Sequence, residues 1–362
     1  MPSLVNKNFL IFNLAVDESD PVLGFAVPLI ARIAREAESV RVITVRTGSY
    51  TLPANVSVRS IGREKGIGRL AAVFIFYRHL FAALRETRPD ICFSHMNPLF
   101  VALAGPFLRM RGTPVILWYS HRHRGIATRI AHYFAKRVVT SVREGYASSN
   151  PKVTVMGHMV DTDLFSPAVG ALPISPPLFI SVGRIAPIKD LMTFVRAAGI
   201  IRDIGHDVRF ACVGPVLPYD TRYYRSLQEE VRRLSLEDRF IFTGPVPYRD
   251  VVSQYRRAFA HVNLCSRGSF DKAVIEAMAC GTPSVAGNEA YGDLFGPYAR
   301  RLLFRYGDAL NLADILIRLL AEPPAALHAM RTGLRGVAVA RGSMDSFLAR
   351  LRETVSSVCP PV

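Results

Sequence analysis

The stretch from His261 to Glu289, HVNLCSRGSFDKAVIEAMACGTPSVAGNE, decides how the rest of the chain is read. Its apolar opening, His261 to Cys265, is short enough for a buried strand, and Arg267-Gly268-Ser269 breaks the pattern. From Phe270 the spacing turns helical, with Val274, Ala277 and Met278 recurring at three and four residues among good helix formers. Gly281-Thr282-Pro283 stops the helix, because Gly suits the C′ position and Pro cannot continue it. Ser284 to Ala286 reads as a further short strand. Strand, Gly/Ser turn, helix and strand together point a helix N-terminus above a sheet, with free N–H groups and a positive dipole end. Such an end suits an anion, phosphate above all. Glu276, about one and a half turns in, cannot favour the same anion. It fits a group accepting hydrogen bonds from hydroxyls beside a phosphate, as on a ribose, or a surface acid on an amphipathic helix.

A chain of 362 residues is longer than one core usually serves, so two domains are expected. The composition is globular, with half the residues hydrophobic and a fifth charged. Cys92, Cys212, Cys265, Cys280 and Cys359 show no metal or redox spacing and read as buried thiols of a cytosolic protein. Asp17, Glu18 and Asp20 follow the apolar run 9–16 at once, unlike a secretory signal. Leu70 to Leu84 is broken by Arg78 and His79 and is too short to span a bilayer. A cytoplasmic protein is expected. The net charge of +16 implies an anionic partner: nucleic acid, an acidic membrane surface or a phosphorylated substrate. Arginine outnumbers lysine, which a high-GC coding sequence could produce without any function. No aromatic stacking platform or recognition motif supports nucleic acid.

Phe9 to Val16 is an apolar run broken only by Asn13, as a buried parallel strand should be. A polar loop follows, from Asp17 to Gly24. Phe25 to Ala37 has helical spacing and Val40 to Val45 is the next strand, which makes a βαβ unit whose first loop lies at the ligand-binding edge. Strand-like runs at 91–94, 115–119, 138–140 and 153–156 alternate with helical segments near 70–86, 99–110 and 124–135. The first strand lacks a Gly-x-Gly-x-x-Gly, so a dinucleotide site of the usual kind is not expected. Gly62 to Gly68, GREKGIG, lacks the closing Gly-Lys-Ser/Thr of a phosphate loop and reads as an exposed basic loop. Asp161 to Ser175, rich in Pro, Gly and small residues, is the expected linker. Its Asp161-Thr162-Asp163 reads as a cap or turn rather than a metal site. A second alternating series then runs from Leu178: strands at 178–182, 209–213 and 240–242, helices at 191–204, 223–234 and 248–259. The last helix, about 345–357, is amphipathic.

Two cations stand just past the strand at Leu178–Val182, in Gly183-Arg184-Ile185-Ala186-Pro187-Ile188-Lys189. Fixed above a sheet they can neutralise a diphosphate, Arg bidentately and Lys as a point charge; two solvated surface charges would look the same in sequence. SVGRIAPIKD followed by SFDKAVIEAMACGTPSV resembles the nucleotide-sugar-dependent glycosyltransferases of the GT-B fold, specifically the retaining family 4. The likeness extends to VGP at 213–215, FTGPV at 242–246, VILWYSH, VMGHMVDTDLFSP and LIFNLAVDESDPVLGF.

That resemblance implies two Rossmann-like, doubly wound α/β domains facing across a cleft. Residues 1–165 would be the acceptor-binding domain and 166–342 the donor-binding one, with the helix at about 343–358 packing back on the first. It also implies a retaining, metal-independent transfer from a nucleotide-sugar to a glycan or lipid-linked acceptor, with no cofactor. The favoured donor is a UDP-sugar, then GDP-mannose, and the setting cell-surface polysaccharide or glycolipid assembly. Arg184 and Lys189 would hold the diphosphate and stabilise the departing nucleotide, with Gly183 and Gly24 giving close approach. Glu276 would accept from the ribose, the backbone near Val246 would meet the base, and His121 would stand beside the donor sugar. Ser269, Phe270, Asp271 and Lys272 would form the sugar-contacting loop. One departure matters: the first acid of the family's Glu-x7-Glu is Gly268 here. Asp271 or Lys272 would then contact the sugar, or the sugar is held differently, or the chain is a non-catalytic nucleotide-sugar-binding subunit. The cations Arg63, Lys65, Arg69, Arg122, Arg124 and Arg129 suggest peripheral association with an anionic membrane surface at its inner face, or a lipid-phosphate acceptor.

Overall fold

The computed structural model describes residues 4–20, 22–121, 125–142, 146, 150–168, 174–266 and 270–359. It divides into two compact units, Met1–Met159 with Met344–Val362, and Val160–Ser343.

The first unit runs β1 (Asn8–Val16), α1 (Ala26–Glu36), β2 (Ser39–Thr47), β3 (Val56–Ser60), α2 (Arg69–Glu86), β4 (Ile91–His95), α3 (Pro98–Met110), β5 (Val115–Trp118), α4 (Ile126–Phe134), β6 (Arg137–Thr140) and β7 (Val153–Val155). The strands form one parallel sheet in the order β3-β2-β1-β4-β5-β6-β7. Successive side chains of a strand point to opposite faces, and β1 is buried on both. Leu10 and Phe12 join a core with Phe76 and Leu80 of α2, Phe100 and Leu108 of α3 and Ala131 of α4. Asn97 caps α3 by accepting from Phe100 N–H at 3.2 Å, with Pro98 at the first helical position.

The second unit runs β8 (Leu178–Val182), α5 (Leu191–Asp203), β9 (Arg209–Val213), α6 (Thr221–Arg233), β10 (Phe240–Phe242), α7 (Val251–Arg257), β11 (Ala260–Asn263), α8 (Lys272–Ala279) and β12 (Ser284–Ala286). Two short helices, α9 (Gly292–Phe295) and α10 (Ala299–Leu302), precede α11 (Ala309–Leu320) and α12 (Pro324–Gly342). Its parallel sheet has the order β10-β9-β8-β11-β12. The final helix, α13 (Met344–Val358), belongs to the first unit: Phe347 meets Phe93 edge-on at 6.3 Å, and Arg350 Nε donates to the Met156 carbonyl at 2.7 Å.

Val160–Phe165 packs within the second unit. Val160 N–H donates to the Gly342 carbonyl, and Phe165 is buried beside Tyr248 and Tyr255. The Asp161 carboxylate accepts from the N–H groups of Asp163 and Leu164, both at 3.3 Å, so this segment is a turn. Among the described residues no helix is long and apolar enough to cross a membrane.

Candidate active site

In each sheet the strand order reverses beside the first strand, between β1 and β4 and between β8 and β11. Open parallel sheets bind ligands above the strand ends at such a switch point. In the second unit the backbone is shaped for it. Gly183 follows β8 at φ 137° and Gly214 follows β9 at φ 143°, both glycine conformations. A Cβ on Gly214 would overlap the Gly183 carbonyl, and one on Gly183 would press on the Lys189 ammonium. The two glycines therefore let two strand ends and a lysine share one small space.

Lys189 ends the short turn Pro187–Lys189, and its ammonium is paired with Asp271 across 82 residues of sequence. Asp271 is the N-cap of α8, accepting from Ala273 N–H at 3.3 Å. The same carboxylate accepts from Asn263 Nδ2 at 3.3 Å and faces the Cys265 thiol at 3.7 Å. Its backbone N–H donates to the Tyr291 hydroxyl at 2.7 Å. Burial alone would raise the Asp271 pKa, but Lys189 and the Ala273 N–H outweigh it and bring it to about 2. Lys189 is correspondingly held above its ordinary range: burial opposes its charge and Asp271 more than compensates. The N-terminus of α8 is thus not an open anion site; a carboxylate of this chain stands where an anion would bind.

Arg184 leans the other way, toward the loop after β9. Its Nη1 donates to the Tyr219 hydroxyl at 2.9 Å, its Nε lies 3.6 Å from Asp220, and its guanidinium covers the Tyr219 ring. Unlike Lys189 it is well exposed, at 38%.

Glu276 is not the surface acid of an amphipathic helix. Every residue of α8 from Ala273 to Ala279 is buried, and Glu276 is 3% exposed. Its Oε2 accepts from the Tyr255 hydroxyl at 3.0 Å, while Oε1 accepts no hydrogen bond among the described residues and lies 3.7 Å from Lys272 Nζ. Lys272 also lies over the Tyr248 ring, 4.6 Å from its centroid. Burial raises the Glu276 pKa, against the pull of Lys272. Beneath this layer His261 is fully buried, its Nδ1 2.8 Å from Ser284 Oγ, and burial pushes its pKa down to about 3.

The remaining expected site residues are dispersed. Phe270 packs on Tyr291 at 4.2 Å, and Val246 lies half-buried in the loop after β10. Ser269, with Arg267 and Gly268, lies outside the described residues, as do Arg122 and Arg124. Gly24 and His121 belong to the first unit. Gly24 is buried just before α1, its N–H donating to the Asp20 carbonyl. His121 follows β5, edge-on to Tyr119 at 5.8 Å, and partial desolvation lowers its pKa. Sequence reasoning missed Asn263, Tyr255, Tyr291 and Asp220. Only Asn263 carries a signal, a polar residue ending an apolar strand.

Residues 165–335 match the model of the family described as glycosyl transferases group 1. The 2-deoxystreptamine glucosyltransferase of Streptomyces kanamyceticus is 26% identical over 232 residues, 61% of this chain and 57% of that one. The chain spans about half the length of the curated relatives it matches. Among solved structures, sucrose-phosphate synthase from Thermosynechococcus elongatus superposes with a TM-score of 0.80 at 18% identity, over 98% of this chain and 99% of that one. HepE from Anabaena, in complex with UDP and glucose, superposes with a TM-score of 0.78 at 16% identity, over 97% of this chain and all of that one. The chain thus has the α/β fold seen in GT-B glycosyltransferases, and over residues 165–335 it is similar to the glycosyl transferases group 1 family.

Proposed function

We propose that the protein is a retaining glycosyltransferase that moves a sugar from a nucleotide-sugar to a hydroxyl of a glycan or lipid-linked acceptor, in cell-surface polysaccharide or glycolipid assembly. A UDP-sugar is the favoured donor, with GDP-mannose next. The observation that carries this reading is the cluster at the second sheet's switch point, where Lys189 and the start of α8 converge beside the buried Glu276. The donor diphosphate takes the place of Asp271 against Lys189 and the α8 N–H groups, with Arg184 reaching it from the exposed side. These charges neutralise the nucleoside diphosphate as it departs, where the transition state gains negative charge and needs no metal to balance it. Lys272 swings off Glu276, whose freed oxygen accepts from the ribose. The acceptor binds the first unit, and His121 acts in transfer rather than in nucleotide binding. The UDP bound in the structurally similar HepE supports uracil as the donor base.

A thermal-shift panel of UDP, GDP and ADP, each with and without common sugars, tests the donor. UDP should raise the melting temperature most. Steady turnover of a UDP-sugar should fall about 10²-fold or more in Lys189→Ala and in Arg184→Ala, the usual scale for one lost charge-stabilising group. Near-wild-type turnover in either variant removes the diphosphate assignment. Nucleotide binding without any turnover in the wild type would favour a non-catalytic binding subunit, which the missing acid at Gly268 permits. His121→Ala should keep UDP affinity and lose transfer; lost UDP affinity contradicts its role.

A further inference from the structure

Helix α2 carries more apolar surface than its core contacts use. Ala72, Phe76, Leu80 and Ala83 form one stripe, buried in the core of the first unit. Leu70, Val73, Phe74, Tyr77 and Phe81 form a second stripe at the i, i+3, i+4, i+7, i+11 spacing of a helix face. Four of these side chains are exposed, Leu70 at 90%, Phe74 at 72%, and Val73 and Phe81 less so, while Tyr77 is half-buried against Phe107 of α3. The two helices that pack into the same core add exposed apolar side chains: Leu99 and Met110 at the two ends of α3, and Ile126, Ile130 and Tyr133 around Arg129 on α4. Scattered exposed apolar residues are ordinary, but an exposed apolar face on α2 continued by exposed apolar side chains on α3 and α4 marks a surface that meets something.

Beside α2 lies a groove of about 460 Å³ at the C-terminal edge of the sheet. Leu14, Ala72, Phe76, Leu99 and Leu103 line it, with Met96 held at the left-handed φ of 52°, a strained conformation that clusters at functional sites. Arg63 and Arg69, both exposed, line the same groove. Among the described residues no carboxylate pairs with Arg63, Lys65, Arg69, Arg78 or Arg129; Arg63 donates only to the Ile67 carbonyl. An apolar helix face flanked by unpaired cations is the pattern of a helix lying in a lipid interface. A second copy of this chain would bring the same +16 charge to the contact, and like charges repel.

We propose that the outward face of α2, α3 and α4 docks on an anionic bilayer, and that the groove takes the hydrocarbon chain of one lipid whose acidic head lies against Arg63 and Arg69. That this lipid anchors the acceptor rests on the glycosyltransferase reading; the docking does not. The full chain should sediment at low salt with vesicles of phosphatidylcholine and phosphatidylglycerol, and stay in the supernatant with phosphatidylcholine alone. Leu70→Ser/Phe74→Ser and Arg63→Gln/Arg69→Gln should each weaken vesicle binding about tenfold or more. Monomeric short-chain phosphatidylglycerol should compete with vesicles, and inorganic phosphate should not. UDP affinity, measured by calorimetry on the same variants, should stay at the wild-type value, which separates a failure here from a failure of the donor assignment.

Wild-type protein that ignores anionic vesicles overturns the proposal, as do variants that bind them fully. Competition by phosphate equal to that of the lipid removes the chain from the groove. A dimer that Leu70→Ser/Phe74→Ser turns into a monomer, with no vesicle binding, would make this face a contact between copies instead.

Discussion

At the start of α8 one carboxylate is shared between two tasks. Asp271 Oδ1 caps the helix through Ala273 N–H, and Oδ2 meets the Lys189 ammonium. A diphosphate bound to Lys189 and to the helix dipole must displace or repel that carboxylate, so the free site competes with its own ligand. Asp271→Asn keeps the cap, since Asn caps as well as Asp, but removes the charge. Lys189, 21% exposed, is then a half-buried cation with no carboxylate, which destabilises by less than the roughly 3–5 kcal/mol of a fully buried broken pair. UDP should restore the missing anion, so its affinity should rise about tenfold, roughly 1.4 kcal/mol, while the ligand-free melting temperature falls. Calorimetric titration with UDP checks this; affinity equal to or below wild type would sink the displacement argument. The acid limb reports the same pair. With the folded pKa near 2 and the ordinary value at 3.8, the Asp271 charge contributes stability above about pH 4 that is lost as pH falls toward 2. Asp271→Asn should lack that loss.

Strand β11 supplies a different pH dependence. His261 is fully buried against Ser284 and below the Lys189–Asp271 pair, and stays neutral down to about pH 3. Its folded pKa lies below the unfolded value of 6.5, so between those limits the unfolded chain binds the extra proton. Stability should therefore fall as pH drops from 6.5 toward 3, by at most about 1.4 kcal/mol per pH unit. His261→Asn, which can still bond Ser284, should be less stable at pH 7 yet show a flatter slope between pH 6 and 4; an unchanged slope would assign the acid sensitivity elsewhere. Sequence alone showed that β11 is a buried strand, because parallel strands covered on both faces read as apolar runs. β1, β4, β5 and β8 were legible for the same reason. β3 was not: Val-Ser-Val-Arg-Ser is an edge strand with every residue only half-buried, and carries no such run. α12 was missed as well, since Gly333, Gly336 and Gly342 interrupt its pattern and its first turn holds Pro324. In the candidate site, the placement of Arg184 and Lys189 just past β8 and of Glu276 within α8 was legible from local context. Asp271 was expected at the donor sugar; its pairing with Lys189, like those of Asp220 with Arg184 and Tyr255 with Glu276, was not legible, because pairing across tens of residues leaves no local trace.

At the scale of the molecule, the chain leaves its first unit at Met159 and returns to it at Met344, so that unit is completed only by the last helix. α13 buries Phe347, Leu348, Leu351 and Val355, and ties to the rest of the unit through Arg352–Glu36 and Arg32–Asp345. The ion pairs are partly exposed and contribute little. The four apolar side chains contribute about 1.5–3 kcal/mol each, a sum comparable with the whole stability of a typical domain, about 5–15 kcal/mol. The second unit, Val160–Ser343, loses none of its own residues if the chain stops after Ser343. A stop codon after Ser343 should therefore unfold the first unit and spare the second. Hydrogen exchange should show β1, β2 and β4 losing protection while β8, β9 and β11 keep theirs, and UDP should still bind. Retained protection across the first sheet would mean that its core holds without α13. Simultaneous loss in both sheets would mean that the two units fold as one.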